Sequence, residues 1–294
     1  MQRRLFVTLA AATTLLGVQA GALAAPALSL DVFNPGDKSV FPVSASIVSG
    51  PTEVVLIDAQ FQRNDAEALV QKVRATGKKL TTVYISHSDP DYYFGLDVVQ
   101  AAFPKARIVA TASTVAAIKA SMDGKLAYWG PVLKDNAPKK LVLPQVLHAD
   151  HLTVDGQPLQ VKGLQGAASP RSYLWIPSLK AVVGGVVVNS GSHVWVADTQ
   201  TPASRRDWQA TLKGIETLKP ATVVPGHFLG ERPDGLGAVT FTATYLDVFE
   251  AQAAQARDSA ELVAAMKKAY PQFADTHVLE LGAKVIKGEM KWPQ

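Results

Sequence analysis

His87, Asp89 and Asp91 alternate along the stretch Ile85-Ser86-His87-Ser88-Asp89-Pro90-Asp91-Tyr92-Tyr93-Phe94-Gly95. In an extended loop a spacing of two turns all three side chains toward one locus. An imidazole and two carboxylates around a point form a donor set for a zinc, iron or manganese ion. The same residues admit a reading without an ion, in which Asp89, before Pro90, and Asp91 cap a turn and the start of a helix. A second cluster, Asn189-Ser190-Gly191-Ser192-His193-Val194-Trp195-Val196-Ala197-Asp198, follows a long apolar run. Its His193, Trp195 and Asp198 either line a ligand pocket on one loop, or Trp195 packs in the core and Asp198 caps the next helix. His148 and His151 fall in a polar, hairpin-like turn and read as solvated, and His277 reads as surface. The chain has no Gly-x-Ser-x-Gly elbow, Walker loop or dinucleotide fingerprint. With no cysteine, it has no thiolate nucleophile, Cys-ligated zinc, disulfide or lipoprotein anchor.

The elements that must position these residues alternate between strand and helix. Leu28 to Phe33, Val43 to Val48 and Glu53 to Ile57 are β-like, and Val54-Val55-Leu56-Ile57-Asp58 has the continuous apolar character of a strand covered on both faces. Asn64, with Glu67 in capping-box position, predicts a helix that stops at Gly77. Leu80 to Ile85 is the strand that delivers the His87 loop, and a helix over Leu96 to Ala102 leaves it. Ala106 to Ala110 is a strand and Thr111 to Met122 a helix. Asp123 to Pro144, rich in Gly, Pro, Lys and Asn, is expected to be a surface excursion near the site. The rhythm then repeats, with strands at Gln145 to Leu147, Leu152 to Val154, Leu159 to Val161, Tyr173 to Ile176 and Ala181 to Val188. A helix over Pro202 to Leu218 precedes the strand and loop Thr222-Val223-Val224-Pro225-Gly226-His227. Ala238 to Met266 and His277 to Lys287 are helical. Such alternation in two halves is an α/β layered fold.

The chain's 294 residues, 48% hydrophobic and 18% charged, are a globular composition long enough for one large domain. Residues 1–24 have the form of an export signal: Arg3 and Arg4, an apolar centre from Leu5 to Val18, and Ala22-Leu23-Ala24 before the cut. The expected mature protein is residues 25–294, one domain with a C-terminal helical extension over 235–294, periplasmic or secreted and without a stable membrane anchor. Removing the signal takes two arginines and no acid, so the formal charge of +4 falls by two. Nucleic acid is not an expected partner, because the paired lysines are scattered; a small molecule is.

The His87 loop resembles the metal-binding loop of the metallo-β-lactamase fold superfamily, whose usual pattern is His-x-His-x-Asp-His followed by Gly. Here it reads His87-x-Asp89-x-Asp91-Tyr92. Val55-Leu56-Ile57-Asp58 before it and Pro225-Gly226-His227 after it stand in the superfamily's order, so the resemblance covers residues 40 to 230. It implies an αββα sandwich of α/β class with metal ligands on loops at one edge of two facing sheets. Carried over residue by residue, it gives His87, Asp89, Asp91 and His227 as metal ligands. The family's third ligand falls near Ala167, its bridging Asp at Gly185 and its third loop His at Tyr92, none of which supplies a usual donor. Arg171 would set a fixed positive charge where a metal's charge otherwise lies.

The resemblance therefore implies a reduced, single-ion site of zinc, iron or manganese, or one with no ion. It implies hydrolysis of an ester, lactone or amide, with Asp91 orienting the nucleophile; Tyr92, Arg171, His193 and Trp195 are the residues expected to face the substrate. The other reading is a non-catalytic relative that binds a small molecule or a protein in the inherited cleft, with His227 bonded to its own loop.

Overall fold

Val54, Val55, Leu56 and Ile57 are all fully buried, and alternate side chains go to different places. Val54 and Leu56 join a core shared with helices, while Val55 and Ile57 join one shared with a second sheet. The same alternation, Val83 and Ile85 against Tyr84, recurs on the neighbouring strand. A strand with two buried faces must lie inside a layered structure. The computed structural model, which describes residues 27–163 and 171–292, has that architecture. The expected signal at 1–24 and the ligand position Ala167 lie outside the described residues.

The first half runs β1 (Ser29–Phe33), β2 (Ala45–Ser49), β3 (Glu53–Ile57), α1 (Arg63–Ala75), β4 (Lys79–Ile85), α2 (Pro90–Tyr93), α3 (Leu96–Ala102), β5 (Arg107–Ala110), α4 (Ala112–Leu133) and β6 (Gln145–Val146). Its six strands form one sheet in sequence order, antiparallel from β1 to β3 and parallel from β3 to β6. The second half runs β7 (His151–Val154), β8 (Gln157–Lys162), β9 (Tyr173–Ile176), β10 (Ala181–Val183), β11 (Asn189–Ser190), α5 (Pro202–Thr217), β12 (Thr222–Val223), β13 (His227–Phe228), α6 (Gly237–Gln255), α7 (Ser259–Ala269) and α8 (His277–Ile286). Its main sheet has the order β12-β10-β9-β8-β7, and β11 pairs with β13 in a small parallel ladder.

Leu174, Ile176, Ala181 and Val183 meet Val55, Ile57 and Tyr84 between the sheets. Tyr173, Val182 and Val223 face the opposite way, onto Trp208, Leu212 and Ile215 of α5 and onto α6 to α8. The result is the expected α/β/β/α sandwich, with the C-terminal helices in its outer layer. Because β3, β4 and β5 are parallel, their C-terminal ends, Asp58, Ser86-His87 and Thr111, emerge at one edge. Parallel pairing of β10 with β12 brings Gly184-Gly185 and Pro225-Gly226 out together in the same way.

Four local expectations change, the first being the strand expected over Ala181 to Val188, which ends at Val183 because Gly184 and Gly185 take φ +82° and +81°. Helix α1 starts at Arg63 after Gln62, with no side-chain cap, because Asn64 instead bonds Gln62 and Asp65. The excursion predicted after Met122 is helical as far as Leu133. Leu126 and Trp129 pack on the core and Leu133 is buried there, which outweighs the weak propensities of Gly124 and Gly130, and Pro131 falls in the last turn. The long Ala-rich helix is two helices, since the Asp258 side chain accepts from Glu261 N–H and starts α7 afresh.

Candidate functional site

At the edge where the strands end, Asp58 takes φ +66° and its carboxylate turns inward. It accepts from Ser86 N–H at 2.8 Å and from the Ser86 hydroxyl, so the ends of β3 and β4 are tied together. Burial pushes the Asp58 carboxyl up to about 7, against the opposing bonds from Ser86 and from Gly185 N–H. A chain of hydroxyls then crosses to the second sheet: Tyr84 donates to Ser172, which donates to the Ser86 carbonyl, each at 2.8 Å. The His87 loop is held from its other end as well. Ala59 N–H donates to Tyr92 C=O and Gly95 N–H to Gln60 C=O. A Cβ at Gly95 would stand 2.1 Å from the Ala59 carbonyl oxygen, so only glycine fits that approach.

On this base Asp89 N–H donates to His87 Nδ1 at 3.2 Å, and an Asp89 oxygen lies 3.3 Å from the same nitrogen. Lys125 of α4 reaches in: its Nζ is 3.0 Å from Asp89 Oδ1 and donates to the Ser88 carbonyl at 3.2 Å. Burial works against the charge on Asp89, but Lys125 and then His87 outweigh it and hold the carboxyl well below its usual range. Asp91 points to the other side, where its Oδ2 is 2.8 Å from His227 Nε2 on β13. Between the two histidines lies the buried ring of Tyr92, edge-on to both at 5.8 and 5.7 Å. Burial, then Asp91, Asp58 and Asp89, push the Tyr92 phenol up, so it stays neutral.

Arg171, also buried, stacks on Trp208 at 4.0 Å and donates from Nη2 to Thr199 Oγ1 at 3.3 Å. Its charge is felt by Tyr92, and it in turn feels Asp198 and Asp89. Asp198 caps no helix; Thr201 does that. The Asp198 carboxylate accepts from the indoles of Trp195 and Trp292, and burial with nearby Asp89 pushes it up to about 6.

Thus the structure brings His87, Asp89, Asp91, Tyr92, Arg171 and His227 to one edge, with Trp195 joined to it through Asp198. It does not bring His193. That ring is buried against Tyr245, Tyr270 and Phe273, with Nδ1 2.9 Å from Tyr245 Oη, beneath the C-terminal helices. Asn189 and Ser190 still pair with His227 and Phe228 at the edge, and the chain turns away from it only after them, at Gly191 (φ +73°). Sequence reasoning missed Lys125 and Trp292. A lone lysine within a helix and a tryptophan near the end of the chain carry no pattern, and only the fold brings them in.

The ion implied by the loop pattern needs three converging protein donors and an open position. Among the described residues no group of three or more His, Asp or Glu side chains is placed to hold one. The chemistry of the donors explains this. Asp89 is engaged by Lys125, whose ammonium already balances its charge, and Asp91 meets His227 as a pair. Gly185 sits at φ +81°, and a Cβ there would lie 2.3 Å from the Ser172 carbonyl oxygen, so no side chain enters from that position. Among the described residues, the donors present do not fit the ion.

The family model for the metallo-beta-lactamase superfamily matches residues 39–227. No curated protein matches the chain. Among solved structures, a metallo-beta-lactamase family protein from Thermus thermophilus is similar at 15% identity, over 88% of this chain and 91% of that one, with a TM-score of 0.62. A metallo-beta-lactamase from Pontibacter korlensis is 20% identical over 75% of this chain and 93% of its own, with a TM-score of 0.54. The metallo-beta-lactamase DIM-1 gives 17%, 76% and 98%, also at 0.54. At such identities these structures speak to the fold, while the family match spans most of the chain and includes both the His87 loop and His227. By fold and by sequence, the chain belongs to the metallo-beta-lactamase superfamily.

Proposed function

We propose that this protein is an exported hydrolase-like member of the superfamily that acts at the carbonyl carbon of a small ester, lactone or amide. Superfamily membership supports the hydrolase-like part. The observation that carries the rest is the contact of 2.8 Å between Asp91 Oδ2 and His227 Nε2 at a partly open edge. In this reading Asp91 holds the proton on Nε2, and Nδ1 takes a proton from water as that water attacks the carbonyl. The imidazolium, stabilised by Asp91, returns the proton to the leaving alkoxide or amine, giving an acid and an alcohol or amine. The form of an export signal at residues 1–24 supports a location in the periplasm or outside the cell. Zinc, iron and manganese take no part in this reading, because the donors among the described residues do not fit an ion.

The second reading, a non-catalytic binder of a small molecule, is favoured by the Asp89–Lys125 pair, which neutralises a family ligand position within the protein itself. One experiment addresses both. Protein purified without chelator, beside His227→Ala and the double variant His87→Ala, His227→Ala, is assayed for metal content and for turnover of esters, lactones and anilides. The hydrolytic reading expects kcat to fall by about 100-fold or more in His227→Ala, in the range of one lost general base. No turnover across the panel leaves the binder. One equivalent of metal in the wild type, lost in the double variant, overturns the metal-free assignment.

A further inference from the structure

Several buried polar atoms at the site are left without partners. His87 Nε2 is buried and has no partner. Tyr92 Oη is buried with no partner. Arg171 uses Nη2 on Thr199, but its Nε and Nη1 are buried and unpartnered. Tyr92 Oη and both Arg171 nitrogens can donate. A buried donor without an acceptor loses its hydration for nothing, and a charged one loses more, so several in one neighbourhood are a site with an occupant to match. A cation is the wrong occupant. An oxyanion, with its several lone pairs, is the right one. Of the surrounding acids, Asp89 is paired with Lys125 and Asp91 with His227, while Asp58 accepts from Ser86 and Asp198 from two indoles.

A second, independent feature describes the rest of the ligand. Phe41 stands edge-on to His227 at 6.3 Å and to Trp129 at 5.3 Å. Trp129 meets Tyr128 at 4.9 Å, Tyr128 meets Trp292 at 5.7 Å, and Trp292 meets Trp195 at 5.2 Å. The row ends on Asp198, whose field reaches Lys125 and Arg171. These five rings come from four separate parts of the chain and are all partly exposed, with Tyr128 at 49%. An aromatic wall beginning at His227 and returning to the cationic groups suits a flat apolar body.

We propose that this site binds an aromatic carboxylate, whose carboxyl oxygens accept from Tyr92 Oη and Arg171 while its ring lies against the Phe41–Trp195 wall. The substrate is then an ester or amide of such an acid, and the bound carboxylate is the product that hydrolysis leaves. This rests on reading the cleft as hydrolytic, but it is tested separately. Full-length protein purified without chelator is titrated with benzoate, acetate and benzamide, following the fluorescence of Trp129, Trp195 and Trp292. Benzoate is expected to saturate the signal, with acetate (no ring) and benzamide (no charge) each at least about tenfold weaker, equivalent to about 1.4 kcal/mol.

Arg171→Met disturbs the stack on Trp208, so Tyr92→Phe, which removes a single oxygen, carries the donor test. It should weaken benzoate about tenfold with an unchanged circular dichroism spectrum. Trp129→Leu should weaken benzoate and leave acetate as it was. Equal affinity for benzoate and acetate overturns the aromatic half, and equal affinity for benzoate and benzamide, or wild-type binding by Tyr92→Phe, overturns the oxyanion half. Benzoate binding by a protein that turns over nothing keeps this inference and removes the hydrolytic reading. Turnover without benzoate binding does the reverse.

Discussion

At the scale of single residues, the site is governed by charges that the chain supplies for itself. Lys125 and Asp89 are each largely buried and bonded to one another, so removing one leaves the other uncompensated. Lys125→Met is expected to lower the unfolding free energy by about 3 kcal/mol in urea denaturation, and adding Asp89→Asn should recover most of that loss. Asp58 sets a pH dependence of definite sign. Its folded carboxyl titrates near 7 against 3.8 for the free group, so the native state keeps a proton that the unfolded chain has released. Stability is therefore free of this penalty below about 3.8 and falls as pH rises toward 7, by up to about 4 kcal/mol. Asparagine tolerates the left-handed backbone at this position and can still accept from Ser86 N–H. Asp58→Asn should accordingly flatten the difference between denaturation curves taken at pH 4.5 and 7.5.

At the scale of elements, helix α5 shows how a local signal and a tertiary one cooperate. Thr201 and Ser204 form a reciprocal capping box, and Trp208, Leu212 and Ile215 lie buried along one face. Thr201→Ala should lower stability by about 1 kcal/mol, read from the shift in the urea midpoint. This helix is legible in the sequence because its cap, its Pro202 and its apolar spacing are all local. Strands β3 and β4 are legible because burial on both faces leaves a continuous apolar run. Helix α4 is legible only as far as Met122, since Gly124, Gly130 and Pro131 carry the marks of a loop. What extends it is the contact of Leu126, Trp129 and Leu133 with residues distant in sequence, which no local pattern records. The same limit applies to the site. The spacing of His87, Asp89 and Asp91 announces a shared locus, whereas the partner that engages Asp89 arrives from the unforeseen part of α4.

At the scale of the molecule, two sheets share one interior, and α6 to α8 complete the outer layer over the second. Leu262, Met266, Leu279 and Ala283 pack with Tyr245, Phe249, Val194 and Val196 in a single apolar cluster. A chain ending at Gln255 would expose that cluster, and size-exclusion chromatography should show it aggregated rather than as a smaller folded species. The close approach of Gly185 to its neighbours limits what can be built at this edge. A Cβ at Gly185 would strike the Ser172 carbonyl, and one at Gly226 would strike the Gly185 carbonyl at 2.2 Å. Three stretches of backbone pack here too closely for a side chain to pass between them. Installing an acidic donor at position 185 therefore takes more than one substitution, because the backbone at Ser172 has to move first.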